Sequence, residues 1–155
     1  MSNVSPIPPG FHSLTLHLNV DGAAKYLDFL KRAFEAEEIH LSHANGKVMH
    51  ATVKIGDSML MFADDFSQEF GAPPVVRGNL PFAINLYVID ADATWARALE
   101  AGCTVKFPLG DQFWGDRYGQ VLDPFGFVWA ITMVKEILTP EQMMDRAPKE
   151  LGGGH

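Results

Sequence analysis

Cysteine is nearly absent from this chain: Cys103 stands alone among 155 residues. A lone thiol excludes an intrachain disulfide and any cluster of thiolate ligands, suits a reducing compartment, and most simply fills a core as a small apolar side chain. Basic charge is also scarce. The 12 Lys+Arg are outnumbered by 19 Asp+Glu, for a formal net charge of −7, and no stretch gathers the basic residues, so the electrostatic footprint of a nucleic-acid binder is missing. Long hydrophobic runs are missing too: nothing approaches the ~20 apolar residues of a bilayer-crossing helix. The opening "MSNVSPIPPG" has neither the basic nor the apolar region of a secretory leader. These absences predict a cytoplasmic protein with no nucleic-acid and no membrane partner.

What is present is apolar content, 47% of the chain, enough for a core and, at this length, for a single domain. It is distributed in a repeat. Leu14 to Val20 alternates apolar and polar residues as a half-buried strand does, and Phe82 to Val88 nearly repeats it. Leu18 and Leu86 are 68 apart, as are Val20 and Val88. Each stretch runs into a helix-period segment: Leu27, Leu30, Ala33 and Phe34 share a face between Ala23 and Ala36, and Trp95, Ala98 and Leu99 share one before Gly102. Hairpins follow, "KVMHATVKIG" into "SMLMFA" and "RYGQVLD" into "FVWAITM", turning at Gly56 and Gly126, which are 70 apart. Weaker strands near Glu38 to Ser42 and Thr104 to Phe107 complete each copy.

The pattern predicts an α+β fold of two βαβββ modules, about 11–66 and about 82–135, joined by a Pro-containing connection at about 67–81. Two curved mixed sheets around a cleft are expected. Residues 136–155 add a short helix and a tail: Thr139 reads as N-cap, Pro140 as the first helical residue and Gln142 as the capping-box partner. The ending "GGGH" reads as a flexible end, with His155 no ligand.

In the opening strands the uniformly apolar sets, Leu14, Leu16, Leu18, Val20 and Phe82, Ile84, Leu86, Val88, should pack on the helices. The opposite sets, with Thr15, His17, Asn19 and with Ala83, Asn85, Tyr87, should then line the cleft. In the first hairpin strand Met49, Ala51, Val53 and Ile55 should face the helix and Val48, His50, Thr52 and Lys54 the cleft. An offset of 70 matches Val48 to Tyr118 and His50 to Gln120. His17, His50, Asn85, Tyr118 and Gln120 are therefore candidate polar groups in an apolar pocket, although a strand histidine often serves only structure. His12, His40 and His43 read as solvated loop or edge residues.

The stretch "DQFWGDRYGQVLDPFG", Asp111 to Gly126, divides into a loop to Gly115, a strand from Asp116 to Leu122 and a tight turn. Arg117 reads either as an ion-paired brace or as a contact for a ligand anion. Trp114 and Tyr118 read either as packing or as stacking surfaces.

With "DGAAKYLDFLKRAF" and "VMHATVKIGDSMLMFADD", this stretch resembles the vicinal oxygen chelate superfamily, which includes glyoxalase I, fosfomycin- and bleomycin-resistance proteins and extradiol dioxygenases. It is most similar to the PhnB-like group, over about Phe11 to Lys135. The resemblance implies the glyoxalase/bleomycin-resistance fold and a homodimer. It also implies divalent-metal positions, which carry over to Thr15, Ala83, Leu60 and Ala130. Shifting by two residues gives His17 and Asn85 with Ser58 or Phe62 and Val128 or Thr132. Neither set supplies a carboxylate or more than one imidazole, so no metal and no other cofactor is expected there. The leading expectation is a small-molecule-binding protein with Tyr87, Trp114, Tyr118 and Trp129 as stacking surface, Asn85 and Gln120 as polar contacts and Arg117 meeting an anionic group. The alternative is a lyase, isomerase or transferase using His17 and His50 as acid and base, with a metal held elsewhere.

Overall fold

The structure is a computed structural model that describes residues 3–76 and 78–148. Contacts divide the chain into two compact units, Met1–Arg77 and Gly78–His155. Each carries one copy of the βαβββ plan.

The first unit runs β1 (Leu16–Val20), α1 (Ala23–Phe34), β2 (Glu37–Ala44), β3 (Lys47–Ile55) and β4 (Ser58–Asp64). Its mixed sheet has the order β1-β4-β3-β2, with β1 parallel to β4 and the other neighbours antiparallel. The helix has a glycine, Gly22, at its N-cap, which gives no side-chain oxygen. Asp64 at the end of β4 substitutes: its Oδ1 accepts from the Gly22 and Ala23 N–H groups at 3.2 and 2.9 Å, placing an anion at the positive end of the helix. The same carboxylate's Oδ2 accepts from Val48 N–H at 2.7 Å, tying β3 to the helix start. The core lies between α1 and one sheet face, where Tyr26 meets Phe62 edge-on at 5.4 Å.

Strict alternation fails in two places. Leu14 precedes β1 and is exposed, so the buried set begins later than the pattern predicts. In β3, Ser42 pairs with His50 but His43 with Val48, which leaves Met49 as an extra, unpaired residue. This β-bulge inverts the facing on its far side: Val48 is 2% exposed and Met49 56%, the reverse of the expected assignment.

The second unit runs β5 (Ile84–Tyr87), α2 (Ala91–Glu100), β6 (Thr104–Asp111), β7 (Asp116–Leu122), β8 (Val128–Val134) and α3 (Pro140–Arg146). The sheet order β5-β8-β7-β6 repeats that of the first unit, with β5 parallel to β8. Phe82, like Leu14, lies before its strand and is exposed. Asp90 caps α2 by accepting from Ala93 N–H at 3.0 Å. The helix rests on Gly119: a Cβ there would lie 2.7 Å from Trp95 Cζ3 and 2.7 Å from Leu109 Cα. The capping box of α3 is present as the sequence predicts, Thr139 and Gln142 satisfying each other's N–H groups. The tail, with His155, lies outside the described residues.

The two hairpin turns differ. Ile55 pairs with Ser58 around Gly56 and Asp57, whereas Leu122 pairs with Val128 around five residues, 123–127. The longer turn is anchored by the buried Asp123. Its Oδ1 accepts from Phe125 and Phe127 N–H at 2.8 and 3.0 Å, and its Oδ2 from Trp129 Nε1–H at 2.9 Å. Among the described residues no helix is long and apolar enough to cross a membrane.

Candidate functional site

Sheet register decides which side chains share a face, because directly paired residues point the same way. In the first unit one row crosses all four strands: His17 on β1 pairs with Met61 on β4, Met61 with Thr52 on β3, and Thr52 with His40 on β2. Phe62 and Ala51, one residue along, belong to the face under α1. The row His17–Met61–Thr52–His40 is thus on the helix-free face. His50, two residues before Thr52, joins it. Its ring centroid lies 6.0 Å from that of His17 and 5.7 Å from that of His40. His50 Nε2 and Thr52 Oγ1 share a hydrogen bond of 3.0 Å. Burial, then the charges of the flanking His17 and His40, hold His50 below its ordinary pKa of 6.5. It is therefore an uncharged imidazole at neutral pH, capable of accepting a proton.

The segment before β1 folds back over this face. Gly10 approaches the sheet so closely that a Cβ would lie 3.1 Å from Met59 Cε. The result is an open pocket of about 460 Å³. Pro6, Ile7, Pro8 and Phe11 form its outer wall, and His50, Thr52 and Met61 are on the sheet side, with His12, Ser13 and Thr15 at the turn between them. His12, which read as a solvated position in the sequence, is thus part of this pocket, and His40, which read the same way, lies beside it through its pairing with Thr52. The β2 pattern carries no signal for His40, because a bulge between Glu38 and His40 shifts its facing. Nothing local in the sequence marks Met61 or Phe11.

The equivalent row of the second unit is Asn85–Ala130–Gln120–Phe107, and the next is Tyr87–Thr132–Tyr118–Gly110. Thr132 Oγ1–H donates to Asn85 Oδ1 at 2.9 Å, and Gln120 Nε2–H donates to the Tyr118 hydroxyl at 2.7 Å. Tyr118 touches Phe107 and Trp114 edge-on at 6.0 and 5.4 Å. Trp114 is oriented by its Nε1–H, which donates to Asp116 Oδ2 at 2.9 Å. Tyr87 is 66% exposed at the rim of the patch. The structure therefore brings Asn85, Tyr87, Tyr118 and Gln120 to one face, as the alternation predicts, and the loop residue Trp114 joins them through its contact with Tyr118. Row matching also corrects the repeat: Gln120 corresponds to Thr52, an offset of 68 in this strand instead of 70.

Two expected site residues lie elsewhere. Trp129 pairs with Ile84 and Val121 on the face under α2, is 1% exposed, and spends its N–H on Asp123. It is a core residue. Arg117, on the same side as Gly119, reaches α2: its Nη2 and Nε donate to Asp92 at 2.9 and 3.1 Å and its Nη1 to Asp111 at 3.1 Å. The Arg117 hydrogen bonds hold the Asp92 carboxyl below its ordinary range, and hydrogen bonds from Lys135 first and then Arg117 do the same for Asp111. Arg117 is the ion-paired brace, with Asp92 and Asp111 as partners and not the adjacent Asp116.

The positions that correspond to the metal sites of similar proteins also shift by one residue on β4. Leu60, with Ser58 and Phe62, belongs to the α1 side; Met61 is the residue that faces the site. On β8, Ala130 and Thr132 face it. One imidazole, one amide, a thioether, a methyl and hydroxyls do not fit a hard divalent ion, which needs several converging nitrogen or carboxylate donors. Among the described residues no group of three His, Cys, Asp or Glu is placed to hold a metal.

A family model for the Glyoxalase/Bleomycin resistance protein/Dioxygenase superfamily matches residues 10–131, and the chain belongs to that superfamily. The uncharacterized protein Mb0911c of Mycobacterium bovis is 44% identical over 123 residues, covering 77% of this chain and 81% of its own length. Among solved structures, TioX from Micromonospora sp. ML1 is 27% identical with a TM-score of 0.60, over 78% of this chain and 95% of that one. The PhnB protein of Bacillus cereus, described as a putative 3-demethylubiquinone-9 3-methyltransferase, is 18% identical with a TM-score of 0.62, over 79% of this chain and 100% of that one. That likeness is one of fold.

Proposed function

We propose that this protein binds a small molecule on the helix-free faces of its sheets, through imidazole, amide, hydroxyl and aromatic groups, and without a metal in the superfamily's position. The observation that carries the reading is the composition of those faces. They gather His17, His40, His50 and Thr52 in one unit and Asn85, Tyr118, Gln120 and Trp114 in the other, where the metal positions hold Met61 and Ala130. A few polar groups in an aromatic and apolar setting are the usual makeup of a small-molecule site. A homodimer and a cytoplasmic location belong to the same reading; light scattering of the purified protein tests the dimer.

A second reading has its own support. His17 and His50 stand 6.0 Å apart, and the neutral His50 is suited to general-base work. A lyase, isomerase or transferase could use that pair as acid and base.

A thermal-shift screen of small amphiphilic molecules with EDTA present tests the binding reading, since a ligand at 100 times its Kd stabilises by about 2.7 kcal/mol. Hits that survive EDTA and are lost in His50→Ala or Tyr118→Ala support it. A stoichiometric metal on the purified protein, or hits that need a divalent ion, would overturn it. Turnover of a bound hit that vanishes in both His17→Ala and His50→Ala would establish the second reading.

A further inference from the structure

We propose that the pocket of the first unit takes an organic anion, its charged head at the His50 imidazole, which His17 and His40 flank, and its apolar body under the segment from Pro6 to Phe11, and that binding takes up a proton. This rests on the proposed small-molecule function and specifies the ligand's chemistry.

The charge arrangement carries the argument. In a chain with a net charge of −7, this surface gathers bases. β1 brings His17, β2 brings His40, β3 brings His50 and Lys54, and the folded-back segment brings His12. The facing residues of β4, Met59 and Met61, are uncharged. The acid that register places on the face, Glu37, sits opposite Lys54. Lys54 is four residues along β3 from His50, which sets Glu37 roughly 13 Å from it at about 3.3 Å per residue. The charged neighbours that act on His50 are His17 and His40, both of its own sign. His17 and His40 flank His50 at 6.0 and 5.7 Å, so a proton on His50 is disfavoured unless a counter-charge arrives. A carboxylate or other oxyanion beside His50 and the Thr52 hydroxyl would supply it. The wall opposite the imidazoles contributes no charge: Pro6, Ile7, Pro8 and Phe11 offer apolar contact. A ligand that satisfies both sides is amphiphilic and anionic.

Linkage then fixes the pH behaviour. If the bound anion favours the imidazolium, the imidazolium favours the anion by the same factor. Affinity is greatest under mildly acidic conditions and falls as pH rises, by up to about tenfold per pH unit for one coupled proton.

The test uses the full chain with EDTA present and three probes: benzoate, benzyl alcohol and sulfate. Histidine ring Cε1–H resonances are followed by NMR from pH 5 to 8, alongside calorimetric titration. Benzoate should move the His50 titration to higher pH and bind at least fivefold more weakly at pH 7.5 than at pH 6. Benzyl alcohol, with the ring but no charge, should leave the titration in place. Sulfate, with charge but no apolar body, should bind more weakly than benzoate. His50→Gln should remove the pH dependence with an unchanged circular dichroism spectrum, and His43→Gln should retain it.

Equal binding of benzoate and benzyl alcohol, a pH-independent benzoate affinity, or an unmoved His50 titration would overturn the proposal while leaving a small-molecule site standing. Sulfate matching benzoate would overturn the amphiphilic ligand class. Silence from all three probes would overturn the anion site, and the wider binding reading would fall only if the thermal-shift screen were silent too.

Discussion

Replacing Asp123 by asparagine keeps the side chain's shape and removes its charge at a point where three donors converge. The carboxylate is 3% exposed and accepts from Phe125 N–H, Phe127 N–H and Trp129 Nε1–H. An asparagine has one acceptor oxygen and one NH2 group, so one side of it must face an N–H donor. The less costly orientation keeps the oxygen on the two backbone donors and turns the NH2 toward the indole. That loses one charge-assisted hydrogen bond, weakens two more, and leaves buried donors opposed, for about 2–4 kcal/mol of lost stability. Asp123→Ala abandons all three donors and should cost about 3–6 kcal/mol, a large part of the 5–15 kcal/mol typical of a whole domain. Asp57, in the exposed two-residue turn of the other hairpin, is the control; Asp57→Asn should stay within about 0.5 kcal/mol. Urea unfolding followed by tryptophan fluorescence gives these values. A cost below about 1 kcal/mol for Asp123→Asn would refute the account of the turn as held by this carboxylate.

Three further outcomes follow from single observations. Gly119→Ala should destabilise by about 1–3 kcal/mol, because the added methyl meets Leu109 backbone as well as Trp95; a neutral result in chemical denaturation would show that β6 yields there. Cys103 is buried and its thiol is pushed up to about 12, by burial first and then by the Asp123 charge. A thiol reagent at pH 8 should therefore label it at the rate of unfolding, and fast labelling of the native protein would contradict the packing. His50 titrates below its ordinary 6.5 in the folded chain, so the unfolded chain binds more protons below that pH. Its contribution is nil above 6.5, and stability falls as acidification proceeds below it. Thermal melts from pH 7.5 to 5 should show a smaller loss in His50→Gln than in the wild type; an equal or larger loss would reverse the assigned shift.

The elements and their repetition were legible because their causes are local. Alternation wrote β1 and β5, the 3.6-residue period wrote α1 and α2, and Thr139, Pro140 and Gln142 wrote the start of α3 through hydrogen bonds made within four residues. The same local pattern placed His17, Asn85, Tyr118 and Gln120 on the faces away from the helices. The site's other members depended on partners far along the chain. Met49 bulges because Ser42 and His43 pair across it, and that one unpaired residue decides the facing of Val48. Trp129 falls on the core side because β8 pairs with β5 and β7 in the register that sets it beside Ile84 and Val121, and a slip of one residue would exchange the faces of the strand. Arg117 is committed to α2 because Asp92 is there to meet it. His40 becomes a neighbour of His50 only when β2 and β3 pair, and the segment from Pro6 to Phe11 becomes a wall only when it folds back on β4. By itself the sequence determined the superfamily's βαβββ repeat and the faces its strands would offer, since period and capping are properties of neighbouring residues. Which side chains meet on those faces was decided by register, bulges and turn length, which exist only once distant strands have paired.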